Sequence, residues 1–116
     1  MAQDRSQAPR RVDQPETGHF KLRLVRGGPW VAAEIERDAM GVWSATIDGE
    51  RQSGGAHTDP ALADGVFRIW HYGHRIDASE HAYLVERARW ARIHAPDSPE
   101  ANPTRPIRVG SLPPAF

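Results

Sequence analysis

Residues 77–94 read Asp-Ala-Ser-Glu-His-Ala-Tyr-Leu-Val-Glu-Arg-Ala-Arg-Trp-Ala-Arg-Ile-His. The reading of this stretch decides the fold. Asp77 can accept from the free amides of a first helical turn, and Glu80 can reach back to the Asp77 amide, which makes a capping box. Pro96 then ends the helix, because the residue before a proline is pushed out of the α region. At 100° per residue Tyr83, Leu84, Ala88, Trp90 and Ala91 gather on one side, and Glu86, Arg89 and Arg92 lie mostly opposite. Arg87 falls inside the apolar arc. It is expected to snorkel, to pair with Glu80 or a sheet carboxylate, or to stack on a tryptophan.

Upstream of this helix the pattern changes from a period near 3.6 to a period of 2. In 20–26, Phe20, Leu22 and Leu24 alternate with Lys21 and Arg23, which predicts a half-buried strand. Gly27-Gly28-Pro29 is a turn. In 30–37, Val31, Ala33 and Ile35 alternate with Trp30, Ala32, Glu34 and Glu36. After a turn at 38–41 comes a third strand, 42–48, with Trp43, Ala45 and Ile47 on its apolar side. Asp48-Gly49 is a hairpin signal, so 50–52 begins a short return strand. Residues 53–64 read as a long loop. Residues 65–72 alternate as well, with Phe67 and Ile69 on one side and Val66, Arg68, Trp70 and Tyr72 on the other, and are read as the last strand. The fold class is therefore α+β: an antiparallel four- to five-stranded sheet or small barrel, one C-terminal helix lying on it, and an extended proline-rich tail.

The ends differ in composition. Residues 1–18 carry almost no apolar side chains and are expected to form a disordered arm before a domain at 19–95. Residues 96–116 hold six of the ten prolines, together with Ile107, Val109, Leu112 and Phe116. Such a tail is read as neither helix nor central strand. Its apolar residues suit docking in a groove, on its own domain or on a partner.

The chain has 116 residues, 15 basic and 15 acidic, and no cysteine. One domain is expected. The charge balance does not call for nucleic acid, and the lack of cysteine excludes a disulfide framework and a thiol nucleophile. No apolar run approaches a membrane span, so a cytoplasmic protein without membrane attachment is expected. Fourteen of the 15 basic residues are arginine. They are scattered, which fits a high-GC coding bias better than a dedicated phosphate site.

Chemistry-bearing patterns are sparse. His71, His74, Asp77 and His81 could converge on one ion, but they straddle a glycine turn and contain no helical His-Glu-x-x-His. Ser53, His57, Thr58 and Asp59 share a loop without a nucleophile elbow. Glu34 and Glu36 share a strand face with cations for neighbours and read as cross-strand ion pairs. No enzyme activity, cofactor, metal or small-molecule substrate is implied. The aromatics are the better signal. Trp30, Trp70 and Tyr72 all fall on sides assigned away from the core, where they would make an exposed apolar patch unless the helix or the tail covers them. Arg23, Arg26 and Arg68 are the further binding candidates, expected with Lys21 on one sheet face. Binding residues are therefore expected among these six, with a protein partner, or with nucleic acid against Lys21, Arg23, Arg26 and Arg68 on one sheet face.

Two resemblances bear on this. Arg-Gly-Gly-Pro-Trp-Val-Ala-Ala-Glu-Ile (26–35) and Val-Phe-Arg-Ile-Trp-His-Tyr-Gly (66–73) resemble the small curved barrels of PWWP and Tudor domains, which implies a barrel shape. Positions 31 and 32 are Val and Ala where that family has its second tryptophan-proline pair. Over 20–116, Lys-Leu-Arg-Leu-Val-Arg-Gly-Gly-Pro-Trp-Val, the Tyr-Leu-Val-Glu-Arg-Ala-Arg-Trp-Ala-Arg helix and the 102–116 close are similar to small phage and prophage proteins of high-GC Gram-negative bacteria. That resemblance implies a phage-encoded binding protein. Small phage proteins of this size often inhibit host machinery, so an inhibitor of a host defence such as CRISPR is the specific expectation.

Overall fold

Strand alternation is strongest where it builds the sheet. In a computed structural model, which describes residues 14–52 and 56–106, β1 (Gly18–Arg23), β2 (Trp30–Arg37), β3 (Trp43–Ile47) and β4 (Glu50–Arg51) follow in sequence. After them come α1 (Val66–Tyr72), β5 (His74–Ile76), α2 (Ala78–His94) and a single 3-10 turn, Pro99–Ala101. The strands form one antiparallel sheet in the order β4-β3-β2-β1-β5. The fold is α+β, and the sheet is open, with β4 and β5 at its edges, rather than closed into a barrel.

The register sorts side chains into two faces. Phe20 lies opposite Ala33, and Leu22 opposite Val31; Ala33 lies opposite Ile47, and Ile35 opposite Ala45. All of these are buried, and with Trp43 they make the core face. Asp48 (φ 54) and Gly49 (φ 83) supply the two positive φ angles of a type I′ turn between β3 and β4.

The core face is covered by α1, not by α2. Residues 66–72 are a helix, not the strand their alternation predicts. Gly65 enters it in the left-handed region (φ 84), and the Gly73 amide closes it on the Ile69 carbonyl at 2.7 Å. Val66, Ile69 and Trp70 follow helical spacing and are buried in one cluster with Phe20, Ile35, Trp43 and Ile47. The Phe20 and Trp70 rings meet edge to face, 6.1 Å apart. A strand of His74–Ile76, where only a turn at Gly73-His74 is expected from the sequence, then pairs with β1.

On the opposite face lies α2, so the sheet is a middle layer between two helices. Asp77 caps α2 as expected, its Oδ1 accepting the Glu80 amide at 2.8 Å, and the helix ends before Ala95. The Glu80 carboxylate does not complete the capping box; it reaches across to Lys21 instead. The stripe facing the sheet is Glu80, Leu84, Arg87 and Ala91, with spacings of 4, 3 and 4. Tyr83 and Trp90, expected on the inner side, are 62% and 58% exposed. After α2, Asn102 Nδ2 donates to the carbonyls of Pro96 (2.7 Å) and Ser98 (3.0 Å). The tail therefore folds back in a 3-10 turn where none was expected, and Pro103 is buried beside the Gly28 turn.

Residues 1–13, 53–55 and 107–116 lie outside the description. The expectations for Ser53, Ile107, Val109, Leu112 and Phe116, and most of those for the 1–18 arm, fall there. Of the arm's last residues, Pro15 is buried, Glu16 pairs with Arg75 at 3.0 Å, and Gly18 starts β1. No helix among the described residues is long and apolar enough to cross a membrane.

Candidate functional site

Trp30 opens β2 directly opposite Arg23 of β1. Because β1 and β2 are antiparallel neighbours, the indole lies across the cations that β1 presents on this face. The Arg23 guanidinium carbon is 4.1 Å from the ring centroid, and Lys21 Nζ is 5.0 Å away. His74, paired with Lys21 from β5, meets the indole edge at 5.2 Å. From α2, Arg87 donates to the Trp30 carbonyl at 2.8 Å and lies 5.8 Å from the Tyr83 ring centroid. The result is one surface in which Arg23, Lys21 and His74 surround the Trp30 ring and Arg87 links it to Tyr83. Lys21 is neutralised by Glu80 at 2.8 Å. Arg23 has no carboxylate partner among the described residues.

Of the six residues singled out in the sequence, the fold brings Trp30 and Arg23 together, with Arg26 three residues beyond Arg23 in the exposed turn after β1. It separates the other three. Trp70 is 3% exposed, in the core between α1 and the sheet. Tyr72 (74% exposed) and Arg68 lie on the outside of α1, on the far side of the molecule. The expected patch of Trp30, Trp70 and Tyr72 does not form, because it depended on 65–72 being a strand. For the same reason Arg68 does not share a sheet face with Lys21 and Arg23. Tyr83, Arg87 and His74 join the site unforeseen as binding residues. Arg87 left a trace in the sequence, as a cation within the inner arc of the helix.

Beside this surface is a second polar cluster between sheet and helix. His19 lies opposite Glu34, its Nε2 3.8 Å from the carboxylate. His81 of α2 packs over His19 with ring centroids 4.5 Å apart. Burial, and secondly the neighbouring His19, hold His81 below the ordinary histidine range, against the opposing pull of Glu34. Glu34 thus pairs with His19, not with Lys21 or Arg23. At the other end of α2, Arg92 meets Asp48 at 2.9 Å. Burial still raises the Asp48 carboxyl, outweighing the arginine.

The other candidates are dispersed. His71 is on α1, His74 is against Trp30, Asp77 caps α2 and His81 is against His19. Among the described residues no group of three or more His, Asp or Glu side chains could hold a metal ion. His57 Nδ1 accepts the Asp59 amide at 2.8 Å in a local turn, and the His57 backbone pairs with Trp43. A depression of about 130 Å³, lined by Glu36, Arg37, Asp38, Ser44 and Arg51, lies at the far end of the β2–β3 hairpin.

Compared with family models, with curated proteins and with solved structures, the chain matches none.

Proposed function

We propose that this chain is a non-enzymatic binding protein that works by surface contact with a protein partner through the Tyr83–Arg87–Trp30–Arg23 face. The observation that carries this reading is the Arg23 guanidinium stacked on Trp30 at 4.1 Å without a carboxylate partner among the described residues. Tryptophan, tyrosine and arginine are the residues that most often dominate interface energetics. Here they are contiguous, and Trp30 fixes the cation in place before any partner arrives. Ordering a long side chain on binding costs about 0.5–1.5 kcal/mol, which such stacking reduces. The complementary surface would carry carboxylates. The phage origin expected from the sequence directs the choice of prey towards cytoplasmic proteins of a high-GC Gram-negative host, with defence complexes first among them.

The same stack favours a second reading, single-stranded nucleic acid, in which bases stack on Trp30 and phosphates meet Arg23 and Arg26. The balanced charge of the chain weighs against it.

The test is capture of host-lysate proteins on the immobilised chain. Arg23→Glu and Tyr83→Ala should each remove the captured partner, and Arg68→Glu, on the opposite layer, should retain it. Loss with Arg68→Glu alone would overturn the assignment. Retention on single-stranded DNA that falls with salt and is lost in Arg23→Glu would favour the second reading.

A further inference from the structure

We propose that His19 and His81 form an acid-sensitive latch between β1 and the N-terminal half of α2, which opens when both rings are protonated. The latch concerns how α2 is held and does not depend on the binding face. Only its consequence does, since α2 carries Tyr83 and Arg87.

The argument begins with how little apolar contact secures this helix. Leu84 and Ala91 are the buried side chains of α2. Three polar contacts add to its attachment to the sheet: Glu80 to Lys21, Arg87 to the Trp30 carbonyl, and Arg92 to Asp48. His81 stands one residue from Glu80, on the side of the helix over His19. With both rings neutral, the pair packs as two small aromatics 4.5 Å apart. With one proton, Glu34 at 3.8 Å from His19 balances the charge. With two protons, two imidazolium ions face each other across a partly desolvated gap and share that one carboxylate.

The surrounding groups do not relieve this. From β1 the next side chain on this face is Lys21, a further positive charge, already committed to Glu80 at 2.8 Å. From β2 it is Glu34, with the exposed Glu36 two residues further along the same face. From β5, Ile76 lies beside His19 and is uncharged, and His74 lies one pair further on. On α2 itself the Asp77 carboxylate is occupied by the Glu80 amide and the Ser79 hydroxyl. Among the described residues Glu34 is the one carboxylate paired with these rings, so the repulsion from a second proton is relieved by separation of α2 from β1.

The sign follows from linkage. His81 is held below its ordinary value of 6.5, so the docked state binds fewer protons there than the undocked state. The stability it contributes is complete above that value and is lost as pH falls from about 6.5 through the lower value of the docked state. One proton of difference changes the folding equilibrium by up to about tenfold per pH unit in that window.

Two measurements test the latch on the full chain, neither requiring a partner. In an NMR titration of the wild type, His81 should titrate below 6.5, with the Leu84 methyl and Trp30 indole signals shifting in the same step. In His19→Gln, His81 should titrate at higher pH than in the wild type. Titration of His81 at or above its ordinary value, or no change in His19→Gln, would overturn the proposal. Melting temperature should fall more steeply between about pH 7.5 and about pH 5 in the wild type than in His81→Gln; parallel profiles would also overturn it. Should His81→Gln fail to fold, the wild-type titration and His19→Gln decide. A latch that holds while Arg23→Glu leaves partner capture intact would locate the failure in the binding face alone.

Discussion

Gly65→Ala distinguishes a helix from a strand at residues 66–72 by the sign of its effect. Gly65 sits at φ 84, and a Cβ placed there would lie 2.6 Å from Gln52 Cγ and 3.1 Å from Ala45 Cβ. Left-handed backbone costs an alanine about 1–2 kcal/mol. Losing the glycine's freedom in the unfolded chain returns about 0.4–1 kcal/mol. Gln52 is half-buried and can swing, but Ala45 is buried in β3 and cannot withdraw, so crowding adds about 1–3 kcal/mol. The expected destabilisation is about 1–5 kcal/mol. Gly49→Ala is the matched control, with φ 83 and no atom within 4 Å of the added Cβ. It carries the backbone cost alone, about 1.6 kcal/mol or less. Urea unfolding of the three proteins gives both values, and unchanged m-values would show that the midpoints report stability. If residue 65 were extended, alanine would be neutral or stabilising. A Gly65→Ala protein as stable as the wild type, or one no weaker than Gly49→Ala, would refute the helix, the crowding argument, or both.

Leu84→Ala should cost about 2–5 kcal/mol as a buried leucine, and Trp90→Ala, on the exposed side of the same helix, within about 0.5 kcal/mol; chemical unfolding of both variants checks which side faces the sheet. Trp70→Ala should cost about 3–5 kcal/mol and remove a quencher-shielded tryptophan signal, whereas Tyr72→Ala should change neither stability nor tryptophan quenching. Asp77 is held below the ordinary carboxyl value of 3.8, chiefly by the Glu80 amide and then by Ser79. The stability from this cap is therefore present above that pH and lost as pH falls below it. Circular dichroism should show helix loss in that range in the wild type, and a flatter profile in Asp77→Asn. Asn102→Ala removes two hydrogen bonds that close the 3-10 turn, and should lower stability by about 1 kcal/mol; a melting temperature identical to the wild type would show that the tail adds nothing to the fold.

Local rules carried β1, β2 and β3 and both ends of α2, although β1 spans Gly18–Arg23 and its turn begins at Leu24, inside the expected 20–26 strand. In those stretches a single interaction range decides the outcome. Phe20 and Leu22, then Val31, Ala33 and Ile35, must share a face because successive side chains of a strand point oppositely. Asp48-Gly49 can hold two positive φ angles, and Asp77 and Pro96 act within one turn of the helix they bound. Residues 66–72 were not decided locally. Val66, Ile69, Trp70 and Gly73 satisfy a helical period while neighbouring pairs also alternate, and β-branched and aromatic residues tilt a seven-residue run towards strand. What decides is the apolar face of the sheet, which needs cover, and the left-handed Gly65 that turns the chain over it. The side of α2 that meets the sheet was hidden for a related reason. Its inner stripe contains Glu80 and Arg87, whose partners Lys21 and the Trp30 carbonyl are 59 and 57 residues away, and its large aromatics stay outside. Hydrophobicity along one helix cannot reveal a charge satisfied by another strand. The proposed binding face inherits both facts: Arg23 and Trp30 become neighbours through strand register, and Tyr83 and Arg87 reach them only because polar contacts set the helix down with that side towards β1.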